Sequence, residues 1–172
     1  MAGNYCSYAL SLDKKNVHRV YHDQNYGFPI HDDNALFGRL ILEINQAGLS
    51  WDTILKKQEN FRKAYKHFDI KKVAAFKEKD FERLMQDAGI IRNKLKINAA
   101  ITNAQAIVQL QKEWGSFKKW LDHHRDLSKA EWVKLFKKHF RFTGGEIVGE
   151  FLMSTGYLPG AHVSTCPVYK KL

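Results

Sequence analysis

Cysteine and proline are scarce in this sequence: two cysteines, at positions 6 and 166, and three prolines, at 29, 159 and 167. So few cysteines, near opposite ends of the chain, exclude a disulfide-dense secreted scaffold. The prolines leave the stretch from 30 to 158 free of the residue that most strongly breaks helices. Long apolar runs are absent too; none approaches the roughly 20 residues needed to span a bilayer. Mean hydropathy is −0.46. The opening MAGNYCSYALSLDKK has no basic region followed by an apolar stretch, so no signal peptide is expected and a cytoplasmic location is the default. Repeats, low-complexity tracts and alternating strand patterns are lacking as well.

Acidic residues are outnumbered, 18 against 28 Lys and Arg, for a net charge of +10. A balance of that size favours a polyanionic partner, most often nucleic acid. A solvated lysine-rich surface gives the same number, so charge states a preference and not a site.

What is present is helical. A 44% hydrophobic and 13% aromatic composition over 172 residues supports one domain with a substantial core. Asp32 or Asp33 can cap a helix running to about Ala47, with Gly48 terminating it. Ser50 starts the next, Asp69 opens a short helix over KKVAAF, and Asp80 opens FERLMQDA. A longer helix follows from about Arg92 to Glu113. Ser116 begins FKKWLDHH, with Asp122, His123 and His124 placed in a loop. Ser128 and Glu131 form a capping box before WVKLFKKHF. A last helix covers about Glu146 to Thr155. The reading is all-α, one domain over 1–172.

Within LEINQAGLSW, a carboxylate interrupts an inward-facing pattern. On a helical wheel Leu36, Leu40, Ile44, Ala47, Phe37 and Ile41 form one apolar arc, and Glu43 lies at its edge. Burying an unpaired carboxylate costs several kcal/mol, roughly. Pairing with Arg39, one turn earlier, would make Glu43 an ordinary surface-edge residue. Its company argues otherwise: Tyr8, Tyr21, Tyr26 and Trp51 share the same third of the chain. Aromatic faces attract cations, and a carboxylate accepts hydrogen bonds from an exocyclic amine. A positively charged alkylated base would use both.

YHDQNYGFP, LEINQAGLSWDTILKK, MQDAGIIRNKLKI and the closing HVSTC, in that order, resemble the DNA-3-methyladenine glycosylase I family. The resemblance runs from Cys6 to Cys166. It implies an all-α fold of the helix-hairpin-helix glycosylase type. It also implies an activity: repair by hydrolysis of the N-glycosidic bond of N3-methyladenine in alkylated double-stranded DNA, by a bacterial monomer. Glu43 matches the family carboxylate that contacts the methylated base, and Tyr21 and Trp51 match its aromatic pocket walls. Tyr8 and Tyr26 stand where the family often has tryptophan or phenylalanine. The usual catalytic aspartate after the hairpin is missing from this family, and Asn93, Lys94 and Lys96 follow Gly89 here. Either lysine could in principle form a Schiff base and give lyase activity. Phosphate contact explains them better, which leaves a monofunctional hydrolase.

The hairpin, about 80–98, reads as helix, tight turn and second helix. Backbone N–H groups near Gly89 and Ile91, helped by Lys94 and Lys96, would hold DNA phosphate without reading sequence. Ile91 stands where the usual hairpin has a second glycine. Cys6, His22, His162 and Cys166 make a Cys2His2 set suited to tetrahedral zinc. A disulfide between the cysteines is the alternative, which a reducing cytoplasm disfavours. By resemblance the four match the family's structural zinc site, tying the N-terminal segment to the C-terminal tail. Two departures stand out. Ile44 replaces a residue that is usually small, and Glu150 falls where a serine often precedes the residue matching Phe151. They motivate the alternative reading, a zinc-stapled DNA-binding module with lost or altered glycosylase activity.

Overall fold

A computed structural model describes residues 2–172, and among these every regular element is helical. In chain order the helices are α1 (Ala2–Ser11), α2 (Val17–Gln24), α3 (Asp33–Gln46), α4 (Trp51–Lys56), α5 (Gln58–Ala64) and α6 (Ile70–Ala74). They continue with α7 (Glu78–Gln86), α8 (Lys94–Trp114), α9 (Phe117–His123), α10 (Lys129–His139) and α11 (Gly145–Ser154). No helix among the described residues is long and apolar enough to cross a membrane.

Side-chain caps fix most of these starts. Asp32, Ser50, Asp69, Ser116 and Ser128 each accept a hydrogen bond from a first-turn N–H of the helix that follows. Gly48, at φ +79°, ends α3 in the left-handed conformation that glycine adopts without strain. Helix α7 begins two residues before the expected Asp80, whose carboxylate reaches back to the N–H of Lys77. The long helix starts at Lys94 because Asn93, accepting from the N–H of Lys96, is its cap. Asp122 and His123 close helix α9 rather than lying in a loop. Helices α1 and α2 carry weak sequence signals, with Gly, Asn and Ser lowering propensity at the start of α1.

Helix α3 is the axis of the fold. Leu36 through Asn45 are all buried, and α4, α5, α6, α8, α9 and α11 pack around them. The expected edge of an amphipathic helix therefore does not exist: α3 is covered on every side. Two details hold it in place. A Cβ on Gly38 would come within 2.5 Å of the Phe68 ring. That ring is swung against α3 by three successive left-handed residues, Lys66 to Phe68. At the start of α3 the carboxylate of Asp33 accepts from the backbone N–H groups of Phe117 and Lys118 and from Gln111 Nε2. Asp32 thus caps α3, while Asp33 caps α9.

Candidate active site

A hollow of about 920 Å3 opens where the ends of α3 and α4 meet α1, α2 and α11. Glu43 forms its floor, only 4% exposed. The carboxylate makes no hydrogen bond or ion pair within reach among the described residues; burial pushes its pKa up to about 8, Arg39 pulls it down and Glu150 adds to the rise. Arg39 does not pair with it. Its Nη1 donates to Tyr21 Oη and to the carbonyl of Ser154, at 3.3 and 3.2 Å, and its guanidinium lies over the Tyr21 ring. The surface-edge ion pair is thereby ruled out.

Rings make the walls. Tyr21 from α2 and Trp51 from α4 meet edge to face, centroids 5.2 Å apart, and Tyr26 leans on Tyr21 at 5.5 Å. Sequence reasoning missed Tyr5, which lines the hollow and meets Tyr26 edge to face at 5.4 Å. Tyr8 is the corresponding correction. One turn farther along α1 than Tyr5, its ring packs on His18 and is 48% exposed, outside the pocket. The Tyr5 hydroxyl is in turn held at 3.3 Å by His18 Nδ1, whose Nε2 lies 3.2 Å from Asp52 Oδ1. Of the two departures, Ile44 is 1% exposed in the main core and does not line the hollow, whereas Glu150 does.

The hairpin divides the four residues read as phosphate contacts. At Gly89 a Cβ would crowd the Asp87 and Asn60 side chains, 3.0 Å from Asp87 Oδ1 and 3.1 Å from Asn60 Cγ. The Gly89 N–H is occupied by Asp87 Oδ1 at 2.8 Å. Ile91 is half-buried and packs on the core, so the missing second glycine leaves an anchored turn. Lys94 is exposed at the start of α8. Lys96 is a correction: it is buried, and its Nζ donates to the carbonyls of Asn45 and Ala47 at 2.9 and 2.6 Å. Those carbonyls are orphaned by the end of α3, so the ammonium caps that helix instead of reaching DNA.

Cys6, His22, His162 and Cys166 converge in a buried cluster whose ligand atoms all lie within 4.8 Å of one another, a group able to hold a metal ion. Both cysteines are free thiols. His22 Nδ1 lies 2.7 Å from Asp23 Oδ1, and His162 Nε2 lies 2.7 Å from the Tyr26 carbonyl. Those contacts turn His22 Nε2 and His162 Nδ1 toward the thiols, as outer-shell partners of a metal site do.

A family model described as methyladenine glycosylase matches residues 11–134. The chain is 39% identical to DNA-3-methyladenine glycosylase 1 of Escherichia coli K12, covering 87% of this chain and 90% of that protein. It is 33% identical to the DNA-3-methyladenine glycosylase of Haemophilus influenzae, covering 91% and 94%. Among solved structures, the Staphylococcus aureus 3-methyladenine DNA glycosylase I superposes with a TM-score of 0.85 at 32% identity, covering 98% of this chain and 97% of that one. A variant of 3-methyladenine DNA glycosylase I in complex with 3-methyladenine gives 0.86, also at 32% identity, covering 96% and 97%. A buried carboxylate inside a ring-lined hollow, an α7–α8 hairpin and a Cys2His2 cluster thus sit in a chain that belongs to the methyladenine glycosylase family.

Proposed function

We propose that the protein excises N3-methyladenine from alkylated double-stranded DNA by hydrolysing the N-glycosidic bond, with no lyase step. The observation that carries this reading is Glu43, buried, without an ion pair among the described residues, and lining a hollow walled by Tyr21, Tyr26 and Trp51. The names of the Escherichia coli and Haemophilus influenzae relatives agree with it.

A buried carboxylate whose pKa is pushed up to about 8 gains most when a cation enters. The incoming charge restores the ionised form, and an ionised acceptor hydrogen-bonds a base amine more strongly than a neutral one. An uncharged adenine offers the first benefit to a much smaller degree, so the pocket discriminates by charge. To reach Glu43 the nucleotide must leave the duplex, at a cost of a few kcal/mol. To Leu49, 38% exposed and next in sequence to the pocket-lining Gly48, we assign the filling of the gap left in the stack. The C1′–N9 bond then breaks with its electron pair passing to the base, which departs neutral and needs no general acid. Water attacks C1′ and gives up a proton to solvent, and Glu43 stabilises the positive charge shared between base and sugar.

Lys94 and the free N-terminal N–H groups of α8 supply phosphate contacts that fix the duplex without reading sequence. In the Cys2His2 cluster we assign zinc. Zn–S near 2.3 Å and Zn–N near 2.0 Å would give tetrahedral S···N edges of about 3.5 Å. Three of the four S···N separations, at 3.6, 3.5 and 3.6 Å, fit that geometry. Four protein ligands would leave a bound ion no open position, so it would serve the fold and supply no step of the hydrolysis. We read the protein as a monomer acting on chromosomal DNA in the bacterial cytoplasm.

The test is chromatography of the bases released from methylated DNA. Wild type should release N3-methyladenine, and Glu43→Gln and Glu43→Ala should each lose at least roughly a hundredfold in rate, the scale of one well-placed charged contact in a dry site. Full release by both variants would remove Glu43 from its role. Salt-sensitive duplex binding with no base released would make the chain a DNA-binding module only.

A further inference from the structure

In a chain of net charge +10, the described residues lining the pocket include Glu43, Glu146 and Glu150 and no lysine or arginine. The three carboxylates step outward. Glu43 is on the floor, Glu150 on α11 is half-buried, and Glu146, one turn earlier on the same helix, is exposed. A single cationic base satisfies Glu43, while Glu150 lines the remaining space with the Tyr26 hydroxyl and Lys129 as neighbours and Glu146 stands exposed beyond it. That space is large: 920 Å3 sits near the top of the roughly 300–1,000 Å3 range that accepts drug-sized ligands, several times what a purine fills. Its outer wall is bare, because a Cβ added at Gly144 or Gly145 would meet nothing within 4 Å. Negative charge beside a DNA-binding mouth opposes the phosphates, so these acids weaken affinity for ordinary duplex.

We propose that Glu150 and Glu146 form a second cation subsite, fitted to purines whose N3 substituent is an aminoalkyl arm in place of a methyl group. The proposal rests on the glycosylase reading above and extends its substrate class. The base charge meets Glu43, and the terminal ammonium of the arm meets Glu150 and then Glu146. Burial and the neighbouring Glu146 push Glu150 up, while Lys129 and the Tyr26 hydroxyl hold its charged form. Met153, unbranched and flexible, lines the same wall and can adapt to an arm of variable length. Hydrolysis proceeds as before: the C1′–N9 electrons go to the departing base, water's oxygen bonds C1′ and its proton goes to solvent. The arm stays attached and protonated throughout.

Calorimetric binding of three free bases to the full chain tests this, namely N3-methyladenine, N3-(2-hydroxyethyl)adenine and N3-(2-aminoethyl)adenine. The hydroxyethyl base matches the aminoethyl base in size and lacks its charge. Wild type should bind the aminoethyl base roughly tenfold more tightly than the hydroxyethyl one, the scale of a charged hydrogen bond. Glu150→Gln should bring that ratio close to one, and the exposed Glu146→Gln should lower it less. A ratio is independent of any fraction of misfolded variant. Release from DNA carrying each adduct should follow the same order. Equal wild-type affinity for the two bases, or an unchanged ratio in Glu150→Gln, overturns the subsite. Release of N3-methyladenine with no aminoethyl preference removes the subsite and keeps the glycosylase. An aminoethyl preference with no release of any base does the reverse.

Discussion

Glu43 shows what burying one carboxylate does to a whole chain. In the unfolded state it titrates near 4.5; in the pocket burial pushes it up to about 8. Between those values the folded chain holds a proton that the unfolded chain has released. Stability from this group is therefore complete below about pH 4.5 and is lost as the pH rises toward 8, with a limiting slope of about 1.4 kcal/mol per pH unit. Glu43→Gln cannot ionise. Its melting temperature should exceed that of the wild type at pH 8, and the gap should narrow toward pH 5. Thermal denaturation of both proteins across that range checks the sign, and parallel curves would show that the group ionises freely in the fold. The gain in stability accompanies a loss of function, since the same unpaired carboxylate is the feature the base would engage.

At the scale of an element, the hairpin separates two lysines that look alike in sequence. Lys94 and Lys96 stand two residues apart in NKLKI, yet one faces solvent and the other closes the end of α3 through two carbonyls. Lys96→Met should destabilise the fold by about 1–3 kcal/mol by stripping charged hydrogen bonds from buried acceptors. It should leave the salt dependence of DNA binding in place. Lys94→Gln should alter stability by less than about 0.5 kcal/mol and reduce the slope of log affinity against log salt by about 0.9, the share of one phosphate contact. Chemical denaturation and a salt titration separate the two effects. Exchanged outcomes would return Lys96 to the DNA surface. The Lys96 contacts also bind the hairpin to the turn between Glu43 and Trp51, so the grip on DNA and the base pocket share one rigid junction.

At the scale of the molecule, the Cys2His2 cluster joins segments far apart in sequence; Cys6 and His162 are 156 positions apart. Closing so long a loop restricts the unfolded chain strongly, and the ligation energy of a structural metal becomes folding energy. Elemental analysis should give about one zinc per chain, and stripping it with a chelator should lower the melting temperature by about 10 °C or more. Cys166→Ser should reproduce much of that drop. A metal-free preparation with an unchanged melting temperature would dismiss the zinc assignment. The cluster also borders the pocket, since the Tyr26 carbonyl that receives His162 Nε2 belongs to a residue whose ring is a pocket wall.

Much was legible in the residues themselves, because caps and periodicity act over one turn of chain. Asp32, Ser50, Asp69, Ser116 and the Ser128–Glu131 box begin helices where the local pattern places them, and Gly48 ends α3 as its φ requires. Cys6, His22, His162 and Cys166 were named by their match to the family pattern, and the fold brings the four into one buried cluster able to hold a metal ion. What sequence could not decide was direction. Whether Tyr5 or Tyr8 faces the pocket, whether Lys96 meets phosphate or the end of α3, and whether Glu43 pairs with Arg39 depend on which neighbours arrive from distant segments. Asp33 serving α9 across the core is the same lesson. Local chemistry names the candidates; only packing, which fixes where each polar atom finds its partner or is left without one, decides what each of them does.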